Sequence, residues 1–492
     1  MMHSRLLLPL AAFLAGVSAL AAAATRPPNI VLIFADDLGW KDVGYQGNDF
    51  HETPNIDRLA RQGMVFSAGY AGAGNCAPSR ACLLSGNYTP RHHVYAVQST
   101  DRGPKESQRL VPIPNRSGLA KDNVTVADAL KAAGYATGIF GKWHLDGPEG
   151  AQPGEQGFDT VHQSMHTWSD AKADAPDNPK GVFTLTRGAC DFMERNRDRP
   201  FFVYLPHFAI HTPLQARPAT LERFQRKKPG LQHNNPLYAA CLFDLDESIG
   251  ILMKKIADLG LEQNTLVVFT SDNGGTQASS QEPLRGNKGG YYEGGIREPF
   301  LARWPGVIQP GSKCDVPVIN LDLFPTFLAA AGAPVPAGKV LDGESLLPLM
   351  RGDGALKRRA IFWHFPGYLN QPVIRGRDID VRDGFRTRPV TVMNEGGWKL
   401  HLFHEEWQLD GGRATLATNR AVELYDLSSD PGEHHDLARK NPAKRDELLD
   451  RMLAWMKATN ALVPSQPNPQ YQPPAANAKA AGGEKKKKAK SD

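Results

Sequence analysis

Long runs of consecutive apolar residues alternate with amphipathic stretches through the first two thirds of the chain. Asn29 to Ala35 reads NIVLIFA, apolar at every step and rich in β-branched residues. Such a run fits a strand buried on both faces, as in a parallel sheet. Tyr135 to Phe140, Phe201 to Leu205 and Thr265 to Thr270 repeat the pattern. Helical patterns lie between them. Thr53-Pro54-Asn55 opens one that stops at Gly63, Thr125 with Asp128 forms a capping box before VADALKAAG, and Leu237 to Leu259 runs to Gly260. Asn320 to Ala331 is a further helix despite Pro325. The stretch Gly74 to Gly86 joins a small loop to an apolar helix, with Pro78 suited to the first turn and Gly86 to the end. Cys76 then falls at or just before a helix N-terminus. This alternation predicts an α/β fold: a large, mostly parallel central sheet with helices on both faces.

From about residue 355 the pattern changes. Short strand candidates (IFWHF, WKLHLF, VELYDL) are followed by the turn Asp430-Pro431-Gly432 and a last helix over 442–459. They predict a smaller C-terminal α+β subdomain with an antiparallel sheet. Residues 1–24 carry Arg5, an apolar core from Leu6 to Leu20 and Ala22-Ala23-Ala24, the layout of a secretory signal peptide. The run is short and broken by Pro9 and Ser18, so an exported protein, periplasmic or secreted, with no stable membrane anchor is expected. The expected division is thus 1–24 leader, 25–355 main domain, 356–465 C-terminal subdomain and 466–492 disordered Lys-rich tail.

Composition changes this picture little: 41% hydrophobic and 22% charged residues are ordinary for a globular protein. The formal charge of +5 is concentrated in the tail, where six lysines from Lys479 onward face only Glu484 and Asp492. The body is close to neutral, which excludes nucleic-acid binding by bulk electrostatics. Five cysteines (76, 82, 190, 241, 314) are an odd number for an exported chain, so at least one thiol has another use. Sequence alone does not pair the other four.

Four of the predicted strands end in polar groups: Asp36-Asp37, then Lys142 with His144, then His207 with His211, then Asp272-Asn273. Ligands of an open parallel sheet bind beyond the carboxyl ends of its strands. Parallel strands would therefore bring all four sets to one edge, where the glycine-rich loop around Lys288 could close over them. Asp36, Asp37, Asp272 and Asn273 offer only oxygen donors, which suit Ca²⁺ or, less well here, Mg²⁺. An Asp-Asp pair can also cap the next element, but two such pairs, each closing a buried strand, point to a shared ion. Arg80, Lys142, His144, His211 and Lys288 are the cationic complement that a tetrahedral oxyanion ester requires. A thiol among hard-oxygen ligands is chemically out of place. Either Cys76 is not a ligand or it is not a thiol when the site works.

These residues resemble the sulfatase family of the alkaline-phosphatase superfamily. Cys76-Ala77-Pro78-Ser79-Arg80 matches its C-x-P-S-R element. Asp36-Asp37, Gly141-Lys142-Trp143-His144, His211-Thr212-Pro213, Asp272-Asn273-Gly274, Asn287-Lys288-Gly289, Glu293 to Pro299, Trp398-Lys399-Leu400 and Glu423 to Glu433 continue the match over roughly 28–460. The resemblance implies an alkaline-phosphatase-like fold, a formylglycine made from Cys76 by a separate maturation enzyme, and a Ca²⁺ site of Asp36, Asp37, Asp272, Asn273 and residue 76. It implies that Arg80 holds and activates the hydrated aldehyde, that Lys142 and Lys288 neutralise sulfate oxygens, that His211, alone or with Lys288, protonates the leaving oxygen and that His144 takes a proton from the second hydroxyl. A further polar residue after the Lys-x-His element is left open among His162, Ser164 and His166. Trp363, His364, Tyr368, Arg382, Arg386, Arg388, His404 and Trp407 are candidates for binding a sulfated sugar. The expected activity is a bacterial-type, exported sulfuric ester hydrolase acting on a sulfated glycan. The alternatives are an arylsulfatase on small aryl sulfates, a formylglycine-dependent phosphonate or phosphodiester hydrolase, and a non-catalytic binder of sulfate esters.

Overall fold

The computed structural model describes residues 26–162, 176–370 and 385–473. The expected leader (1–24), Ser164, His166, Arg382 and the Lys-rich end of the tail lie outside these residues.

The central sheet is built from β1 (Asn29–Ala35), β2 (Met64–Phe66), β3 (Ala136–Phe140), β4 (Thr160–His162), β5 (Phe201–Pro206), β6 (Thr265–Ser271), β7 (Leu301–Arg303) and β8 (Ser312–Cys314). Their order across the sheet is β4-β3-β5-β1-β6-β7-β2-β8. β1 sits in the middle, parallel to β5 on one side and β6 on the other, and β3 runs parallel to β5. Only β7 is reversed, antiparallel to both β6 and β2. Every residue of β1, β5 and β6 is buried, as the unbroken apolar runs require.

The two faces of β1 feed two cores. Ile30, Leu32 and Phe34 pack with α2 (Cys76–Ser85), α3 (Val126–Ala132) and α6 (Leu323–Ala331) through residues such as Leu84, Leu130 and Phe327. Val31, Ile33 and Ala35 pack with α1 (Pro54–Gln62), α4 (Val182–Arg195) and α5 (Pro236–Asp258), whose contributions include Leu59, Leu185 and Leu245. The expected arrangement of a mostly parallel sheet with helices on both faces is therefore present. The capping box of Thr125 and Asp128 forms as the sequence suggests.

A second sheet, antiparallel, has the order β9 (Ala360–Phe365), β10 (Val390–Glu395), β11 (Trp398–Phe403), β12 (Val422–Asp426). Helix α7 (Pro442–Ala458) covers one face with Leu448, Leu449, Met452 and Met456 against Met393, Leu400 and Leu424. The first residues of the expected disordered tail are ordered instead. Val111 donates its N–H to the Gln466 carbonyl (2.9 Å), and the Asn468 side chain donates to the carbonyls of Lys105 and Gln108 (2.9 and 2.8 Å). Polar composition predicts disorder only where no partner backbone is at hand, and here the 105–111 segment supplies one. No helix among the described residues is long and apolar enough to cross a membrane.

Candidate active site

The carboxyl ends of β1, β3, β5 and β6 meet at one edge of the sheet, and the predicted polar groups meet with them. Asp36 and Asp37 leave β1 fully buried, and Asp37 adopts a left-handed backbone (φ 66°). That conformation is uncommon outside glycine. Neighbouring backbone and side chains hold it in place. The Asp36 N–H donates to the Ala209 carbonyl (2.9 Å), Ile210 N–H donates to the Asp36 carbonyl (2.8 Å), and Asp37 N–H donates to Asp272 Oδ1 (3.1 Å).

Cys76 occupies the first turn of α2. Its Sγ lies 3.5 Å from Asp36 Oδ1 and 3.9 Å from Asp37 Oδ1, buried. Burial, reinforced by the Asp272 charge, pushes the thiol well above its ordinary range, so residue 76 is no ready thiolate nucleophile. One helical turn on, Arg80 aims back at the same point. Its Nε and Nη2 donate to Asp272 Oδ2 (3.1 and 2.7 Å), and Nη1 donates to the Lys142 carbonyl (3.2 Å). Its guanidinium also lies over the Phe34 ring.

Lys142 Nζ donates to Asp36 Oδ2 at 2.6 Å. Gly141 precedes it at φ 133°, and a Cβ there would stand 2.0 Å from the Pro206 carbonyl, so the turn out of β3 requires glycine. His144 shares the left-handed region (φ 64°), and its Nδ1 is buried without a partner. Burial and then the Lys142 charge hold its imidazole well below the usual range. His211 places Nε2 3.6 Å from Asp37 Oδ2. Burial lowers its imidazole too, against the opposing pull of Asp37.

Lys288 closes the site from the glycine-rich loop, with Nζ 2.7 Å from Asp37 Oδ1 and 2.9 Å from Oδ2. Burial alone would lower this ammonium, but the Asp37 charge outweighs it and raises the group above its ordinary value. The loop is seated on the Cys76 loop, since Gly289 N–H donates to the Gly74 carbonyl (2.6 Å). A Cβ on Gly74 would lie 2.5 Å from the Gly290 carbonyl. Burial raises the Asp36 carboxyl, yet the Lys142 and His211 charges prevail and hold it at about 2. Asp37 is likewise lowered, Lys288 overcoming its burial.

The donor set can hold a metal ion. Asp36, Asp37, Cys76 and His211 can each present one ligand atom, all within 4.8 Å of one another. Asn273 donates its amide to Asp37 Oδ1 (2.8 Å) while its Oδ1 is buried with no donor. That oxygen is therefore free to serve as a ligand.

All of Asp36, Asp37, Cys76, Arg80, Lys142, His144, His211, Lys288, Asp272 and Asn273 thus gather here. His207 does not. It is fully buried, neither ring nitrogen has a partner, and burial lowers it to about 3. His162 ends edge strand β4 and stacks on Phe140. Most sugar-binding candidates are structural. Trp363 donates Nε1 to the Ala71 carbonyl (2.8 Å), His364 and His404 share the Thr391 hydroxyl (2.8 Å each), Tyr368 donates to Glu405 (2.6 Å), and Arg388 pairs with Glu405 and Glu406. Trp407 lies beside His404 on a separate cavity against α7. Arg386 lies against Gly289 of the Lys288 loop.

Pattern reasoning missed the device that holds the Lys288 loop. Lys399 of β11 is fully buried and reaches Glu293 Oε1 (2.9 Å) and Glu433 Oε1 (3.0 Å). Glu433 Oε2 accepts the Glu293 N–H (2.6 Å), Glu433 Oε1 pairs with His401 Nε2 (3.0 Å), and Tyr70 donates to Glu293 Oε2 (3.0 Å). The clamp ties the loop to the second sheet.

A family model described as Sulfatase matches residues 28–333. The chain belongs to the sulfatase family. As a sulfatase it is a sulfuric ester hydrolase. A model described as N-sulphoglucosamine sulphohydrolase, C-terminal, matches residues 287–383. The chain is 36% identical to arylsulfatase A of Homo sapiens, covering 89% of each chain. It is 35% identical to the N-acetylgalactosamine-6-sulfatase of Canis lupus familiaris, covering 94% of this chain and 91% of that one. Among solved structures it resembles Ps i-CgsB with a TM-score of 0.70 and 28% identity, covering 90% of this chain and 95% of that one. A complex of that protein contains k-i-k-neocarrahexaose. Sulfatases generally depend on a formylglycine and a metal, and the cluster described above can hold one.

Proposed function

We propose that this sulfatase is exported and removes a sulfate ester from a sulfated glycan, using residue 76 as formylglycine and a Ca²⁺ ion. The observation that carries the reading is the setting of Cys76: a buried, un-ionised thiol between two carboxylates, ringed by Arg80, Lys142 and Lys288. Asp36, Asp37, Asp272 and Asn273 would hold the ion with residue 76, and the orphaned Asn273 Oδ1 favours this set. The hydrated aldehyde supplies a hydroxyl nucleophile and a second hydroxyl through which sulfate can be released, and the cation supplies charge neutralisation.

The chain's own residues do the rest. Lys142 on Asp36 and Lys288 on Asp37 offer the ester's oxygens two positive charges in a water-poor setting. Arg80, fixed by Asp272 and the Lys142 carbonyl, positions residue 76. His211, where the Asp37 charge works against the lowering by burial, together with Lys288, whose ammonium Asp37 keeps protonated, gives a proton to the departing alcohol oxygen. His144, kept neutral by burial and its cationic neighbours, is in the right form to accept a proton from a hydroxyl on residue 76. The relative named N-acetylgalactosamine-6-sulfatase and the solved neighbour in complex with k-i-k-neocarrahexaose support a sulfated carbohydrate substrate, while the relative named arylsulfatase A supports the aryl alternative. Maturation by a formylglycine-generating enzyme and the division into residues 25–355 and 356–465 belong to the same proposal.

Sulfate release from chondroitin, heparan, carrageenan and fucoidan fragments tests the reading, with matched aryl sulfate and aryl phosphonate esters alongside. Release from at least one glycan is expected. Turnover confined to aryl sulfates would establish the arylsulfatase alternative, and faster phosphonate turnover would overturn the sulfate-ester assignment.

A further inference from the structure

A second cleft, of about 260 Å³, opens on the edge of the sheet that carries the active-site residues. Three segments line it. His51 follows β1 beyond Asp36 and Asp37, Ser279 and Ser280 follow β6 beyond Asp272 and Asn273, and Gln232, His233 and Asn234 precede α5. Chain direction brings the third segment to the other two. Both β5 and β6 run parallel to β1, and α5 is the long helix that carries the chain back between them. Its N-terminus therefore stands at the carboxyl ends of the strands.

The walls are fastened to the segments that carry the metal-ligand candidates. Asp42 accepts the Gly39 N–H (2.7 Å), the Tyr238 hydroxyl of α5 (2.5 Å) and the Ser279 hydroxyl. Asp49 accepts the N–H groups of Leu231 and Gln232 (2.5 and 3.0 Å) and lies 2.9 Å from His233 Nδ1. His233 Nε2 lies 3.1 Å from the Ser280 carbonyl, which joins the loop before α5 to the loop after β6. The shape is thus fixed before any ligand arrives, which lowers the ordering cost of binding.

Among the described residues no lysine, arginine, aspartate or glutamate lines this cleft. His51 is only 5% exposed. Its Nδ1 lies 3.0 Å from the Asp42 carbonyl and 3.1 Å from the Asn48 amide, while Nε2 has no partner among the described residues. Burial lowers the imidazole, against the pull of Asp42, so the ring is neutral. A buried ring nitrogen left unpaired is costly, and a ligand hydroxyl would relieve that cost. Gln232 and Asn234 add exposed carboxamides, each both donor and acceptor. Asp42 and Asp49 stand behind the walls, so the local field disfavours an anion. The volume falls below the roughly 300–1,000 Å³ of clefts for drug-sized ligands and suits a single ring.

We infer that this cleft is a subsite for one uncharged sugar ring, held through its hydroxyls by His51 Nε2 and the Gln232 and Asn234 amides, so that the preferred substrate is an oligosaccharide joining the sulfated sugar to neutral sugars. The inference rests on the sulfatase reading of the neighbouring site. It concerns specificity, not the chemical step.

The test compares kcat/KM for a monosulfated monosaccharide, for the same sugar extended by neutral hexoses to di-, tetra- and hexasaccharides, and for matched chains extended by uronic acids. The wild-type protein should prefer at least one neutral chain by about tenfold over the monosaccharide and over its uronic acid counterpart, the size of one or two hydrogen bonds. That preference should not shrink as salt rises from about 50 to about 500 mM, because no ion pair carries it. The double variant Gln232→Ala with Asn234→Ala should remove most of it through KM, and Asn234→Trp, which fills the cleft, should remove it entirely. No preference for neutral chains, a preference for the uronic acid chains, or variants that slow every substrate equally would overturn the inference while leaving the sulfatase reading intact. If no sulfate ester is turned over, the sulfatase reading fails, and calorimetric binding of the unsulfated neutral hexasaccharide tests the cleft by itself: binding that Asn234→Trp abolishes supports the subsite, and no binding overturns it. Melting temperatures of the variants separate loss of the subsite from loss of the fold.

Discussion

Replacing Lys399 with methionine probes the clamp that joins the catalytic loop to the second sheet. The ammonium is fully buried between Glu293 and Glu433, themselves fully buried. Methionine keeps the length of the chain but removes the ammonium that bridges the two carboxylates, leaving Glu433 without it and Glu293 with only Arg297 at 3.4 Å. Removing one partner of a buried ion pair costs about 3–5 kcal/mol. With an unfolding entropy of about 2 cal/mol/K per residue, a cooperative unit of this size shifts by roughly 1 °C per kcal/mol, so Tm should fall by about 3–5 °C. The loss should depend on pH in a defined direction. Burial already raises the Glu433 carboxyl, with Lys399 opposing. Without Lys399 its folded-state pKa rises further above the unfolded value. A group raised on folding is favourable to the folded state below its unfolded pKa and loses that advantage as pH climbs toward the folded pKa. The Tm deficit of Lys399→Met should therefore be larger at pH 7.5 than at pH 5. Adding Glu433→Gln should recover part of it at pH 7.5. Differential scanning calorimetry of the single and double variants reads all three effects. A deficit under 1 °C, or one identical at both pH values, would refute the view that these charges form one coupled cluster.

Cys76→Ala should abolish sulfate release, and Cys76→Ser should do so in any host whose maturation enzyme requires cysteine, with peptide mass spectrometry confirming the state of residue 76. Chelation should lower both activity and melting temperature, and Ca²⁺ should restore both better than Mg²⁺, as expected for irregular carboxylate and amide coordination. Gly74→Ala places a methyl group against the Gly290 carbonyl and should cost about 1–3 kcal/mol of stability, with a fall of tenfold or more in kcat, because it wedges apart the loops that carry residue 76 and Lys288.

Much of this architecture can be read from residues close together in sequence. Unbroken apolar runs ending in Asp36-Asp37, Lys142, His211 and Asp272-Asn273 identify buried parallel strands and the edge where they discharge their polar groups. Chain continuity alone places those residues, because each follows its strand within a few positions. The strands β7, β2 and β8 on one side of the sheet are only three residues each, too short for any periodicity to register. The clamp was hidden for another reason. Glu293, Lys399 and Glu433 come from three distant segments, and a lysine or glutamate in sequence looks like a solvated surface group until tertiary packing buries it. The same effect misdirected the reading of Trp363, His364, Tyr368 and His404 as sugar contacts. The second sheet is covered on both sides, by α7 and by the main domain, so aromatic residues that would line a groove on a one-sided sheet are interior packing.

Residue 76 is about 1% exposed, at the start of a helix whose every residue is inside. That burial imposes a schedule. If residue 76 is matured as proposed, the enzyme that oxidises it has to reach the residues on either side of it, and in the folded molecule those residues are buried. The window for the modification closes when α2 docks. Speed of collapse and supply of active enzyme are then opposed, and conditions that delay docking of α2 should raise the fraction of molecules that leave the assembly line competent.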